Sequence, residues 1–162
     1  MISPYRPAKP ADPADDALHE DVLDYTPRPK SVALARNRAA RLVGEWGHPQ
    51  LADDTRLLVS ELATNALLHG AVRGRLFRVR LVLTACVLRI EVTDARGERL
   101  PCQRDGAGAP EATGGRGLLL VGTLSARWGV RLPGVGKTVW CEVALRPAVS
   151  AVQDGPDAHS LG

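Results

Sequence analysis

The chain has 162 residues, of which 44% are hydrophobic and 24% charged, and its formal net charge is +3. This length suits one domain with a sizeable core and is too short to expect two, and the modest charge dictates no particular partner. The three cysteines, Cys86, Cys102 and Cys141, form no C-x-x-C pair, which argues against a disulfide framework or a zinc site. No signal peptide or membrane-spanning apolar run is present, so we expect a cytoplasmic protein without membrane contact.

Both ends of the chain have a composition that disfavours folding. Residues 1–26 are rich in Pro, Ala and Asp, and residues 147–162 have the same character. Such segments bury too little apolar surface to offset the entropy cost of ordering. The sequence therefore predicts a flexible leader over 1–26, a domain over 27–146 and a flexible tail over 147–162.

Two helices are predicted at the start of the domain. Ser31 is a typical capping residue, apolar side chains follow at helical spacing, and Gly47 is placed to end this helix. A second helix is predicted from about Leu51 to Leu68, with Gly70 just past its end.

Strands and a third helix follow. Apolar and polar residues alternate over 77–83 and again over 88–93, which predicts two antiparallel strands joined near Thr84 and Ala85. Residues 95–115 form a long Gly- and Pro-rich loop, and a short helix opens directly from its glycines. A last hairpin is predicted around the stretch P-G-V-G-K. The mixture of elements predicts an α+β fold with a mixed or antiparallel sheet covered on one face by helices.

The second predicted helix carries a polar pair beside its apolar face. Glu61 and Asn65 are four residues apart and therefore lie on one side of the helix. An amide oxygen is a suitable ligand for Mg²⁺, and a carboxylate one turn away is placed to act as a general base. The alternative is structural, with both side chains hydrogen-bonded to nearby backbone.

Two further segments are candidates for nucleotide contacts. Asp94 ends an apolar strand, where it is either a turn residue or an acceptor for an exocyclic amine such as that of adenine. Gly114, Gly115 and Gly117 lie at the start of the third helix, where backbone N–H groups favour an anion. A flexible lid has the same composition, and the spacing matches neither a P-loop nor a dinucleotide-binding motif.

In combination these segments identify a protein family more specifically than any one of them does alone. The runs E-L-A-T-N-A-L-L-H-G, V-T-D-A-R-G, G-G-R-G-L-L-L-V and G-K-T-V-W occur in the order of the four nucleotide-binding motifs of the GHKL ATPase family. The sequence most resembles the small anti-sigma-factor serine/threonine kinases and their stand-alone actinobacterial relatives. This resemblance implies the Bergerat fold, a two-layer α/β sandwich whose mixed, mostly antiparallel sheet carries its helices on one face.

The resemblance also implies ATP and Mg²⁺ as cofactors and assigns roles to residues. Asn65 would bind Mg²⁺, Glu61 would be the general base, and Asp94 would accept the adenine amine. The remaining nucleotide contacts would be Gly97, Gly115, Arg116, Gly117, Leu118 and Thr138, the last helping to close the adenine pocket. His69 and Lys137 would have only auxiliary roles. One departure is Arg96, which stands where the family has glycine.

The function implied is a serine/threonine kinase that phosphorylates an anti-anti-sigma-type protein, sequesters a sigma factor as a second role, and forms a homodimer. One alternative is a nucleotide-binding module that sequesters a partner without phosphoryl transfer. Another is a severed sensor histidine kinase domain, disfavoured by the short Pro-rich leader. Nucleic-acid binding through Arg73, Arg75, Arg78 and Arg80 is disfavoured by the modest charge and the 4% aromatic content.

Overall fold

The computed structural model describes residues 16–96 and 115–146, with only the backbone of residues 115–118. The elements are, in chain order, β1 (His19–Tyr25), α1 (Pro29–Glu45), a short 3-10 turn (Pro49–Leu51), α2 (Ala52–His69), β2 (Phe77–Leu83), β3 (Val87–Asp94), α3 (Gly115–Leu124), β4 (Arg127–Arg131) and β5 (Lys137–Ala144). The tail predicted over 147–162 and the first 15 residues of the predicted leader lie outside the described residues.

The five strands form one sheet in the order β1-β2-β3-β5-β4, and every neighbouring pair is antiparallel. Helix α2 packs on β2 and β3, α1 packs on α2, and α3 contacts α2 and β4. The predicted α+β class is confirmed, with a sheet that is antiparallel throughout.

The core lies between the helices and one face of the sheet. Strand residues alternate between the two faces, so β2, β3 and β5 each present every second side chain to the helices. The buried side chains on this face are Phe77, Val79 and Leu81 of β2, Leu88, Ile90 and Val92 of β3, and Val139, Cys141 and Val143 of β5. Helix α2 covers them with Leu58, Val59, Leu62, Ala63 and Ala66.

The first strand corrects the prediction of a flexible leader over 1–26. Residues His19–Tyr25 pair along their whole length with β2, from His19 opposite Leu83 to Tyr25 opposite Phe77. This strand is polar because it lies at the edge of the sheet, where its carboxylates meet arginines. Glu20 lies 2.7 Å from Arg80, Asp24 lies 2.7 Å from Arg78, and Asp21 lies 2.6 Å from Arg38 of α1.

The first helix begins two residues before the predicted cap. Its N-cap is Arg28, which makes no side-chain capping bond, and Pro29 occupies the first turn. Proline is favoured there because its missing N–H would have no partner in the helix. Ser31 lies inside the helix, and its hydroxyl is 3.2 Å from that of Thr26.

The face of the sheet away from the helices carries a continuous set of ion pairs that crosses all five strands. We call it the ion-pair ladder. It consists of Glu20 of β1, Arg80 of β2, Glu91 and Arg89 of β3, Glu142 of β5 and Arg127 of β4. Glu91 and Glu142 are buried, and each accepts hydrogen bonds from two arginines.

The ion-pair ladder also contacts an aromatic ring and shifts the pKa of one of its carboxylates. The guanidinium of Arg89 lies 4.0 Å from the centre of the Trp140 ring, a cation–π contact. Burial alone would raise the pKa of Glu142, but the hydrogen bonds from Arg127 and Arg89 outweigh it and lower that pKa.

Candidate functional site

The polar pair predicted on the second helix lies in the C-terminal half of α2. Glu61 and Asn65 are both half-buried. Neither side chain makes a hydrogen bond or an ion pair with any residue of the described ranges. The structural alternative required backbone partners for both side chains, and the described chain offers none. Two half-buried polar groups without partners in this part of the chain are available to a ligand.

Asp94 ends β3 on the face that meets the helices, and it is 4% exposed. Its Oδ1 accepts a hydrogen bond of 2.9 Å from the backbone N–H of Arg96, whose side chain is exposed. Its Oδ2 lies 3.4 Å from Nζ of Lys137, which is itself 1% exposed. An ionised carboxylate offers about four acceptor positions, so Asp94 retains capacity for a further donor.

Two glycines enclose Asp94. A methyl group on Gly70, the C-cap of α2, would overlap the Asp94 carboxyl group, and one on Gly136 would overlap its backbone oxygen. Gly136 also has a φ of +81°, a conformation that favours glycine. The end of α2, the end of β3 and the start of β5 therefore meet at this carboxylate.

Helix geometry relates Asp94 to the polar pair. Because α2 rises about 1.5 Å per residue, Asn65 lies about 7.5 Å along the helix axis from Gly70, and Glu61 about 13.5 Å. The three side chains singled out in the sequence are thus arranged along one helix and the strand end against which it packs.

Helix α3 begins at Gly115, as the sequence predicted, and packs against α2. Gly115, Arg116, Gly117 and Leu118 form its first turn, although their side chains lie outside the description. The first N–H groups of a helix have no partner within it, so this turn presents donors of the kind that bind phosphate. Gly97 lies outside the described residues.

The structure does not bring the side chain of Thr138 to Asp94. Lys137 pairs with Asp94 and shares its face of the sheet, whereas Thr138 points to the opposite face. There its hydroxyl lies 2.7 Å from that of Thr93. The sequence analysis gave Lys137 only an auxiliary role and expected Thr138 to help close the adenine pocket, whereas in the structure Lys137 is the residue beside Asp94. A signal for this was present in the strand, because the core residues Val139 and Cys141 put every odd-numbered position on the helix side.

The basic stretch that suggested nucleic-acid binding is partly neutralised. Arg78 makes a bidentate ion pair with Asp24, with contacts of 2.7 and 3.0 Å. Arg80 contacts both Glu20 and Glu91. Arg73 and Arg75 precede β2 and are exposed. The face is therefore a mixed-charge surface, unlike the uniformly basic stripe of a nucleic-acid-binding protein.

The half-buried polar pair of α2, the buried carboxylate at the end of β3 and the glycine-rich start of α3 are the features that the sequence analysis expects of a nucleotide site. Residues 25–142 match the family model of the histidine kinase-like ATPase domain. The match covers most of the chain, so the chain belongs to this family of ATP-binding domains, and the resemblance to GHKL ATPases is confirmed.

Among solved structures, the chain is similar to the histidine kinase domain from the Erythrobacter litoralis EL346 blue-light activated histidine kinase. The identity is 26% and the TM-score is 0.44, with 69% of this chain and 60% of that chain covered. This chain thus spans less than two thirds of that domain. No curated protein matches the chain.

Donor chemistry decides whether Mg²⁺ fits this site. The described residues hold no group of three or more His, Cys, Asp or Glu side chains placed to bind a metal ion. The donor that the sequence analysis assigns to Mg²⁺ is the amide oxygen of Asn65. This fits Mg²⁺ that arrives with a nucleotide, because such ions take one or two protein ligands and complete their shell with phosphate oxygens and water.

Within residues 16–96 and 115–146, no helix combines the length and apolar character needed to cross a bilayer.

Proposed function

We propose that this protein is an ATP-dependent serine/threonine kinase that phosphorylates an anti-anti-sigma-type protein. The family supports ATP binding, and the observation that carries the finer proposal is Glu61. Glu61 is a half-buried carboxylate without a partner in the described chain and lies one turn from Asn65, which supports a role as general base beside the phosphates of bound ATP. A domain that only held nucleotide would not require it.

Each residue has a defined part in the reaction. Asp94 accepts a hydrogen bond from the exocyclic amine of the base and so fixes the orientation of the nucleotide. The amide oxygen of Asn65 is a ligand for Mg²⁺, which supplies neutralisation of phosphate charge when it is bound. The N–H groups in the first turn of α3 donate to phosphate oxygens.

Phosphoryl transfer then depends mainly on positioning. The hydroxyl oxygen of the substrate serine or threonine attacks the γ-phosphorus, the bond to the β–γ bridging oxygen breaks, and ADP leaves. Glu61 accepts the proton that the hydroxyl loses. Lys137 is a positioning residue, since its Nζ lies 3.4 Å from Oδ2 of Asp94 and helps to fix that carboxylate.

The partners belong to the same proposal. An anti-anti-sigma-type protein supplies the hydroxyl, a sigma factor is a second protein bound and released according to the nucleotide state, and two copies of the chain form a homodimer. A reaction that consumes ATP suits a cytoplasmic location.

The test separates phosphoryl transfer from nucleotide binding. Wild type and Glu61→Gln are incubated with γ-labelled ATP, Mg²⁺ and a candidate anti-anti-sigma-type protein, and labelled partner is counted at matched nucleotide occupancy. We expect Glu61→Gln to bind Mg·ATP normally and to lose transfer by a factor of roughly 10²–10⁴. As a control for an acidic residue elsewhere on α2, Asp53→Asn should transfer at the wild-type rate.

The alternative of a sequestering module gives a different result. If the wild type binds both nucleotide and partner yet labels nothing, the kinase proposal is wrong. The nucleotide would then serve only to set the conformation that the partner recognises.

A further inference from the structure

A second concave site lies on the face of the sheet away from the helices. It is a groove of about 500 Å³ at the edge where β2 begins and β3 ends. Thr93 and Thr138, whose hydroxyls contact each other, lie among its lining residues, as do four arginines: Arg75, Arg78, Arg80 and Arg131. Asp94 and Ala95 also line this arginine groove, so it adjoins the proposed nucleotide site at the end of β3. The carboxyl group of Asp94 points to the helix side, where it meets Lys137, and the four arginines lie on the opposite side.

The arginine groove has more positive than negative charge. Its lining has four arginines and three carboxylate residues, Asp24, Glu91 and Asp94, and Asp94 is paired with Lys137 on the helix side. Arg78 and Arg80 are engaged with acidic partners.

The other two arginines of the groove are less fully neutralised. Arg75 has no ion pair within the described residues, and Arg131 comes no nearer than 3.7 Å to Glu91. The Glu91 carboxylate already accepts hydrogen bonds from Arg80 and Arg89. Positive charge without full neutralisation is therefore concentrated at Arg75 and Arg131.

Apolar side chains adjoin these arginines. Leu76 is 52% exposed and Val135 is 70% exposed, and both line the groove together with Pro133. Exposed aliphatic groups beside guanidinium groups fit a ligand that alternates carboxylate and aliphatic side chains. Guanidinium binds carboxylate with two parallel hydrogen bonds, and desolvation of the aliphatic groups adds affinity.

We propose that the arginine groove binds an acidic, aliphatic peptide segment of a partner protein. Carboxylates of the segment pair with Arg75 and Arg131, and its aliphatic side chains cover Leu76 and Val135. Nucleic acid suits the groove less well, because two of the four arginines are held by carboxylates of the protein itself. The proposal goes beyond nucleotide binding and phosphoryl transfer, and it holds whether or not the chain is a kinase.

The experiment uses the whole chain without nucleotide. Fluorescence anisotropy follows a fluorescein-labelled peptide of sequence Glu-Leu-Glu-Val-Glu-Leu-Glu, with a Lys-for-Glu peptide as the charge control. We expect the acidic peptide to bind and the lysine peptide not to bind. Arg75→Glu/Arg131→Glu should weaken binding by at least about tenfold, because it turns attraction into repulsion. The same charge change on the helices, Arg41→Glu/Arg56→Glu, should leave binding within about twofold.

Three results would overturn the proposal: no binding of the acidic peptide up to about 1 mM, equal weakening by the helix control, or tighter binding of a DNA duplex that depends on the same two arginines. Circular dichroism checks that the variants fold. If the groove variant does not fold, peptide titration of the wild type observed by NMR decides the question. The amide signals of Thr93 and Thr138 should shift while those of α1 stay in place, and shifts confined to the helices would refute the groove.

Discussion

The Asp94 carboxylate is fixed by several contacts at once, and these contacts limit which residue types are tolerated at the neighbouring positions. Lys137 and the Arg96 N–H hold its two oxygens, Gly70 leaves the space that the carboxyl group occupies, and Gly136 leaves space for the Asp94 backbone oxygen. A buried carboxylate is stable only with such partners. The same contacts set its position for a ligand.

Gly70 provides a direct test of this packing. Gly70→Ala places a methyl group on the Asp94 carboxyl group, so we expect a loss of about 1–3 kcal/mol in the free energy of unfolding and weaker Mg·ATP binding. Gly44 of α1 is the matched control, because nothing lies within 4 Å of a methyl group there. Gly44→Ala should be neutral or stabilising by up to about 1 kcal/mol. Urea denaturation measures the free energy of unfolding of both variants. Equal changes in Gly70→Ala and Gly44→Ala would refute the packing argument.

Thr55 is a polar residue in the core. Its hydroxyl is fully buried near the start of α2 and has no hydrogen-bond partner among the described residues. We expect Thr55→Val to stabilise the fold by about 1 kcal/mol, because valine has nearly the same shape and no unsatisfied group. Thr84 is the contrast, since its hydroxyl accepts hydrogen bonds from the N–H groups of Cys86 and Val87. Thermal unfolding should show Thr84→Val destabilised, and a loss of stability in Thr55→Val would contradict the interpretation.

The candidate site was predictable from sequence to the extent that its residues stand in recognisable motifs. Glu61, Asn65 and Asp94 were found because a polar residue beside or at the end of an apolar element requires an explanation. Lys137 was undervalued because a lysine next to a turn is ordinarily exposed. Its burial depends on a long-range partner, Asp94, which local pattern cannot reveal.

Among the elements, α1, α2 and the strands β2, β3 and β5 were predicted from apolar periodicity, because each buries one face. The edge strand β1 was missed. Its sequence, HEDVLDY, places most side chains in solvent or in ion pairs with distant arginines, so it lacks a clear apolar alternation. Its pairing with β2 joins residues more than fifty positions apart, which sequence pattern cannot show.

The ion-pair ladder leads to a prediction of pH dependence centred on Glu142. Removal of its charge by Glu142→Gln should cost about 1.5–3 kcal/mol near neutral pH, because two arginines donate to a buried carboxylate. The exposed pair on α1 is the control. Glu45→Gln breaks only a surface contact with Arg41 and should cost less than about 0.5 kcal/mol.

The sign of the pH effect follows from the lowered pKa of Glu142. The folded pKa lies below the ordinary value of 4.5, so the unfolded chain binds more protons in this range and stability rises with pH. The contribution of ionised Glu142 to the free energy of unfolding is complete above about pH 4.5, and it is lost as the pH falls through the pKa of the folded state. Urea denaturation between pH 6 and pH 3 should show the gap between wild type and Glu142→Gln narrowing with acidity. A gap that stays constant or widens would refute the assignment.

For the molecule as a whole, the two faces of one sheet have separate roles. The helix side contains the core and, at its edge, the proposed nucleotide site around Asp94 and α2. The opposite side is held by the ion-pair ladder and ends in the arginine groove. Strands β3 and β5 contribute to both sides, because Asp94 and Lys137 alternate with Thr93 and Thr138.

The central claim is that nucleotide binds on the helix side, at Asn65 and Asp94. Isothermal titration calorimetry of Mg·ATP with wild type, Asn65→Ala and Thr138→Val tests it most directly. Asn65 is half-buried without a partner in the described chain, so its removal leaves the fold intact. We expect Asn65→Ala to weaken binding by at least about tenfold, and Thr138→Val to bind like wild type because Thr138 faces the opposite side. Wild-type affinity in Asn65→Ala, or loss of binding in Thr138→Val alone, would contradict the account.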